Sequence, residues 1–267
     1  EANTLQRLCY GTPDAKSSTL SFYVKTNLEG ETFGVALTTQ DGTSQVIGTT
    51  YTIENANTWQ RVIFNVPGNV NGTIDNDTGN GMMIVWGLTV GSGFRGTDNS
   101  DWVNNSDAAN LTGHTANIAS STDNEFHLTG VQWELGDTAT EFEHRSFGEE
   151  LQLCQRYYHQ LGTESDAQMM GLGVNFGTGQ AYFGGYYPVE MRTTPTISVN
   201  DAANFRCHTQ SGGGITGLTG FATSGQTTNK QYLIYFTKSS AFGQGAGNLL
   251  FNNVGSTYGV IKFNAEM

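Results

Sequence analysis

The sequence predicts an all-β protein: an N-terminal jelly-roll β-sandwich, a short linking helix and a second C-terminal β-domain. Three observations carry that prediction. Short runs alternate apolar and polar side chains at period two along most of the chain, and Gly, Asn, Asp or Pro turns close them. The composition holds 35 Gly, 4 Pro and only 13% charged residues, against about 25% charged in ordinary soluble domains. One stretch alone carries helix spacing together with helix caps. At 267 residues the chain has room for two domains, each with a sizeable core. The boundaries expected are 1–145 for the jelly roll, 146–162 for the helix and 163–267 for the second domain.

The N-terminal strands follow one another closely. Leu20 to Lys25 alternates; Thr32 to Thr39 and Gln45 to Ile53 follow, joined by a turn at Asp41-Gly42 of the kind favoured in hairpins. Trp59 to Val66 puts Val62, Phe64 and Val66 on one face and Trp59, Arg61 and Ile63 on the other, and Pro67-Gly68 ends it. Met82 to Val90 is apolar enough for a central strand. A polar excursion from Gly91 to Asn124 leads to a closing strand, in which His127, Thr129, Val131, Trp133 and Leu135 share one face and Phe126, Leu128, Gly130, Gln132 and Glu134 the other. Many short strands with turn signals are the mark of a sandwich.

Gly136-Asp137 breaks that strand, and a helix start follows. Ser146 with Glu149 makes a capping box, with two carboxylates in the first turn where the helix dipole favours them. Leu151, Cys154, Tyr158 and Leu161 recur at spacings of three and four, and Gly162 supplies the stop. Beyond it, Met169–Phe176, Gln180–Val189, Thr196–Val199, Ala203–His208, Gly217–Ala222, Gln231–Thr237 and Val260–Phe263 read as strands. Gly212–Gly214 and Gly243–Asn248 read as loops. No repeat of solenoid period is present.

The run Thr129-Gly130-Val131-Gln132-Trp133-Glu134-Leu135-Gly136, then Phe142-Glu143-His144-Arg145, then Glu150-Leu151-Gln152-Leu153-Cys154-Gln155-Arg156-Tyr157-Tyr158 resembles a signature of tail-fibre and related virion proteins of tailed phages, marine ones especially. Phe22-Tyr23-Val24-Lys25, Asn57-Thr58-Trp59-Gln60-Arg61 and Val66-Pro67-Gly68 are similar to that family's N-terminal sandwich, itself similar to carbohydrate-binding modules. Val189 to Thr196 matches a phrase of its C-terminal part, and the match extends to about Val199. Trp133 departs from the family, which has Leu there. The resemblance implies a virion structural protein, the distal receptor-binding region of a tail fibre, assembled in the host cytoplasm. It implies a homotrimer that touches other tail proteins and a host surface polysaccharide. In such a trimer Leu151, Cys154 and Tyr158 would face either the shared axis or the chain's own β-domains. Because the chain begins at Glu1 rather than Met, a processed or cut product of a longer polypeptide is expected.

A net charge of −12 argues against nucleic-acid binding, which needs a basic patch, and against docking on anionic lipid by charge. The sequence has no transmembrane run. Cys9, Cys154 and Cys207 have neither zinc-ligand nor redox spacing, so buried free thiols are expected. The chain lacks a Gly-x-Ser-x-Gly elbow, a His-Glu-x-x-His pair and a phosphate loop. His114, His127, His144, His159 and His208 have no ligand-like spacing, and the Glu141/Glu143 and Glu149/Glu150 pairs are explained by tether and helix cap. The expectation is therefore no enzyme and no cofactor.

Glycan binding suits the composition better, because pyranose faces stack on rings while hydroxyls need planar polar partners. In the N-terminal half the candidates are Trp102, Asp98 and Asp101; Trp102 is either an exposed platform or a loop anchor over the core. Trp59, Trp86 and Trp133 are assigned to the core. In the C-terminal half the candidates are Tyr186 and Tyr187, drawn from an aromatic reservoir that also holds Tyr182, Tyr232, Tyr235 and Phe242. A structural calcium at Asp75 and Asp77, or between Asp98 and Asp101, is conceivable, though neither run completes a calcium loop and acidic turn chemistry explains both. The alternatives to a tail fibre are a carbohydrate-binding module of a secreted glycan-active enzyme, a head-fibre or capsid decoration protein, and a polysaccharide depolymerase.

Overall fold

In the computed structural model, which describes residues 1–96, 99–209, 214–239 and 242–266, the chain divides into two units, Glu1–His144 and Arg145–Met267. Asp98, Gly212 and Gly213 of the sequence reading lie outside the described residues.

In the first unit the strands are β1 (Ser18–Thr26), β2 (Thr32–Thr39), β3 (Gln45–Thr52), β4 (Gln60–Val66), β5 (Met82–Trp86), β6 (Val103–Asn104) and β7 (Phe126–Leu135). They form two antiparallel sheets, one ordered β4-β1-β7 and the other β5-β2-β3-β6. Between them lies a core of Leu20, Phe22 and Val24 from β1, Phe33, Val35 and Leu37 from β2, and Val62, Phe64 and Val66 from β4. The alternation read from the sequence is what places these side chains inward. The first and last strands pair directly, and the chain crosses repeatedly between sheets, giving a β-sandwich of jelly-roll type. Met82–Trp86 is an edge strand rather than a central one, because only β2 flanks it.

Strict alternation fails in β7. Gly130 has φ +58, and the register with β1 shifts between Ser21 and Tyr23, so that Gln132 pairs with Ser21 but Thr129 pairs with Tyr23. This is a bulge, and it inverts the phase of the strand. Phe126 and Trp133, at positions of opposite parity, therefore both pack against the core. Thr129 and His127 share the outer face with Gln132 and Glu134.

In the second unit, α1 (Phe147–Gln155) is followed by β8 (Tyr158–Leu161), β9 (Met169–Asn175), β10 (Gln180–Tyr186), β11 (Thr196–Val199), β12 (Arg206–Thr209), β13 (Gly214–Ile215), β14 (Gly220–Thr223), β15 (Gln231–Thr237), β16 (Gly247–Phe251), β17 (Asn253–Val254), β18 (Thr257–Tyr258) and β19 (Ile261–Asn264). One sheet runs β13-β12-β16-β9-β10-β15-β14, a second β11-β19-β8, and β17 pairs with β18. Phe183, Phe205, Ile234, Phe236, Leu250 and Phe263 are fully or nearly fully buried in their shared core.

The capping box forms as expected: Ser146 Oγ accepts from Glu149 N at 3.3 Å, and Ser146 N donates to Glu149 Oε2 at 2.9 Å. The helix ends seven residues earlier than the spacing suggested. Tyr158 and Leu161 belong to a strand paired with Asn264 and Ile261, since a long-range ladder outweighs a weak local helix preference at two successive tyrosines. Gly247–Phe251 is also a strand, whose first two residues fall in the expected loop Gly243–Asn248. No residue of α1 is buried.

Candidate functional site

Because Val62, Phe64 and Val66 point inward, Arg61, Ile63 and Asn65 must point outward from β4. The same parity turns Thr19, Ser21, Tyr23 and Lys25 outward from β1. Pairing then sets Asn65, Thr19 and Glu134 in one row, Ile63, Ser21 and Gln132 in the next, and Arg61, Tyr23 and Thr129 in a third. Trp59, just before β4, continues the face. It is 47% exposed, so its assignment to the core is corrected: parity with Arg61, not strand membership, decides its side. Trp86 and Trp133 do pack against the core.

The segment after β7 folds back onto this face. Glu134 accepts the Thr140 backbone N–H at 3.1 Å and the Thr140 hydroxyl at 2.5 Å. Gln132 donates to Glu141 O at 3.2 Å and accepts from Glu143 N at 2.7 Å. Arg61 donates from Nη2 to Thr140 O and lies 3.9 Å from the Glu141 carboxylate. Hydrogen bonds from Gln132 and Thr140 hold Glu134 below the ordinary carboxylate range. Gly130 thus bends β7, and Gln132 and Glu134 clasp the returning segment.

Two hollows result. One, of about 430 Å³, is lined by Tyr23, Thr129, Gly130, Glu141, Phe142 and His144. The other, of about 290 Å³, is lined by Glu54, Asn55, Thr58, Trp59, Gln60 and Arg61. Arg61 joins them, its guanidinium 5.9 Å from the Tyr23 ring centre. Lys25 Nζ lies 5.5 Å from the Trp59 ring centre, and His127 meets the same ring edge-on at 6.4 Å. His127 also bonds Glu125 at 3.0 Å, which lowers the Glu125 pKa. His144 meets Phe142 edge-on at 5.0 Å. An exposed Trp59 ring and the half-buried Tyr23 and Phe142 rings, beside amide, guanidinium and carboxylate groups, can hold a polyhydroxylated ligand by stacking and hydrogen bonding.

The residues singled out from sequence fall elsewhere. Trp102 is the loop anchor: its indole N–H donates to Pro67 O at 2.8 Å, its ring meets Tyr10 edge-on at 5.7 Å, and it packs against the first core. Asp101 is exposed and accepts the Trp102 backbone N–H at 2.7 Å, a local turn contact. Tyr186 is 81% exposed at the end of β10, whereas Tyr187 is buried against Tyr232 and Phe263, so its binding assignment is corrected. Alternation sorts the strand tyrosines of the remaining reservoir, Tyr232 to the core and Tyr182 and Tyr235 to an outward stack at 4.8 Å, while Phe242, in the loop after β15, is buried in the core. Asp77 caps Gly79 N at 2.7 Å, and Asp75 receives Gln6 Nε2 on its backbone oxygen at 2.9 Å. Among the described residues no group of three or more His, Cys, Asp or Glu is placed to hold a metal. Leu151, Cys154 and Tyr158 are all exposed within the chain. Cys9 is half-buried and Cys207 buried, so burial of all three thiols is corrected for Cys154 and Cys9.

No family model matches the chain, and no curated protein matches it. Among solved structures, recombinant discoidin II of Dictyostelium discoideum is similar over 96% of this chain and 76% of that one, at 11% identity and a TM-score of 0.19. A score that low leaves the fold to be argued from the strands themselves.

Proposed function

We propose that the chain is a non-catalytic attachment protein of a phage virion, the distal part of a tail fibre, and that the outer face of the β4-β1-β7 sheet holds a host surface polysaccharide. The observation that supports glycan binding is the placement of the exposed Trp59 ring and the half-buried Tyr23 and Phe142 rings beside Lys25, Arg61 and Gln132, around two hollows on one side of the β4-β1-β7 sheet. Rings on a rigid sheet lose little freedom when a sugar stacks on them, and the planar groups between them supply direction. The virion assignment is supported by the signature that runs from Thr129 to Tyr158, whose Gly130, Gln132 and Glu134 build the fold-back beside those rings.

The experiment is binding of purified chain to a panel of envelope polysaccharides, with Trp59→Ala and Tyr23→Ala beside the parent. Loss of binding in both variants at unchanged unfolding midpoint is the expected result. Unchanged binding in both, or no binding to any polysaccharide by the parent, overturns the glycan reading. Blocking of phage adsorption by the purified chain tests the virion assignment separately, and failure to block overturns that part.

A further inference from the structure

We propose that the outward face of the seven-stranded sheet in the second unit is a docking surface for a second copy of this chain. This is independent of the glycan reading, because it concerns other residues and another kind of ligand. Pairing registers define the face. Tyr235 and Leu233 of β15 oppose Tyr182 and Gly184 of β10; Tyr182 opposes Val174 of β9; Leu172 opposes Leu249 of β16; and Leu249 opposes His208 of β12. Leu172 is 67% exposed, Val174 46% and Phe176, just beyond β9, 74%. Phe176 meets Tyr182 edge-on at 5.6 Å, so it belongs to the same surface.

Leu172, Val174, Leu233 and Leu249 form an aliphatic strip across the centre of this face, with Tyr182, Tyr235 and Phe176 packed beside them. An exposed surface of this kind marks a protein contact more than a sugar platform. Charge then selects the occupant. The chain carries 24 acidic against 12 basic residues, so two copies repel over most approaches. Among the described residues that these registers turn outward, from Ala222 and Tyr235 across to Arg206 and His208, none is a carboxylate. This is where like-charged copies can meet. Six strand spacings of about 4.8 Å by roughly five residues of ~3.3 Å give on the order of 500 Å² per copy. Two copies would bury on the order of 1,000 Å², near the lower bound for a specific interface. The association is accordingly concentration-dependent.

The test is sedimentation equilibrium of the whole chain over a concentration series, at low and at high sodium chloride. The parent should exceed 28.8 kDa as concentration rises, and more so at high salt, which screens repulsion without weakening an apolar contact. Leu172→Glu should return the mass to that of one chain, whereas Val70→Glu, at an exposed apolar position of the first unit, should not. Phe176→Glu carries the same test should L172E fail to fold. A parent that stays monomeric throughout overturns the proposal and leaves the face to an unlike partner. So does retention of the parent mass by the folded variants, or association that weakens with salt.

Discussion

A methyl group placed on Gly130 would lie 3.0 Å from Cδ2 of Tyr23. Gly130 is thus tied twice: by a left-handed φ of +58 and by the ring lying against it. Gly130→Ala should cost about 1–2 kcal/mol of stability, the ordinary penalty for a side chain in that conformation. It should also displace Tyr23 and weaken any ligand held in the hollow beside it. Urea unfolding of the variant measures the first effect and polysaccharide binding the second. A variant as stable as the parent would mean that β7 can re-register without its bulge.

Trp59 and Trp102 should separate under alanine substitution. Trp59→Ala removes an exposed ring and its cation–π partner, so the unfolding midpoint should move little while glycan affinity falls by roughly tenfold, the upper end of an aromatic contact. Trp102→Ala removes a packed ring and orphans the Pro67 carbonyl, so stability should fall by about 2 kcal/mol or more with little direct effect on binding. Calorimetry and titration on the two variants, run side by side, check the contrast.

That contrast also shows what the sequence could convey. Val62, Phe64 and Val66 alternate so cleanly that the inner face of β4 is readable, and Arg61 and Ile63 with Trp59 follow onto the outer one. Most strands of the second unit were legible for the same reason, with Phe183 and Tyr232 at inward positions. Two of the missed strands share one cause, long-range pairing that leaves no local trace. Tyr158–Leu161 copies helix spacing until Ile261–Asn264 arrives beside it, and Gly247–Phe251 hides in a glycine-rich run until β9 and β12 flank it. The proposed glycan face was illegible because it is assembled from β1, β4, β7 and the returning tether, and a single bulge at Gly130 decides which side of the sheet half of β7 faces.

The three thiols should react in order of exposure. Cys154 lies exposed on α1, Cys9 is half-buried, and burial pushes the Cys207 thiol up to about 12. A maleimide at neutral pH attacks thiolate, so Cys154 should be modified in the native protein and Cys207 only after unfolding. Mass spectrometry of peptides from native and urea-treated samples reads this directly. Rapid native modification of Cys207 would show that the core around Leu250 and Phe205 opens more readily than its packing implies.

Acid should weaken both units well above the carboxylate range. His114 is almost wholly buried; its Nδ1 accepts the Gly34 N–H at 3.1 Å, which requires the neutral ring, and its Nε2 lies 2.7 Å from Ala116 O, which fixes the tautomer. Burial lowers its pKa, as it does that of His159, stacked 5.6 Å from Phe263 in the second unit. With folded values below the unfolded 6.5, the unfolded chain binds more protons across the interval, so stability rises with pH there. The contribution is complete above about 6.5 and is lost as pH falls through the folded values. Urea midpoints at pH 7.5, 6 and 5 should therefore decrease in that order. His114→Asn keeps an acceptor near the Nδ1 position without a titrating ring, so it should lower the midpoint at neutral pH yet flatten its pH dependence. An equal slope in parent and variant would remove His114 from the acid response and leave it to His159 and the carboxylates.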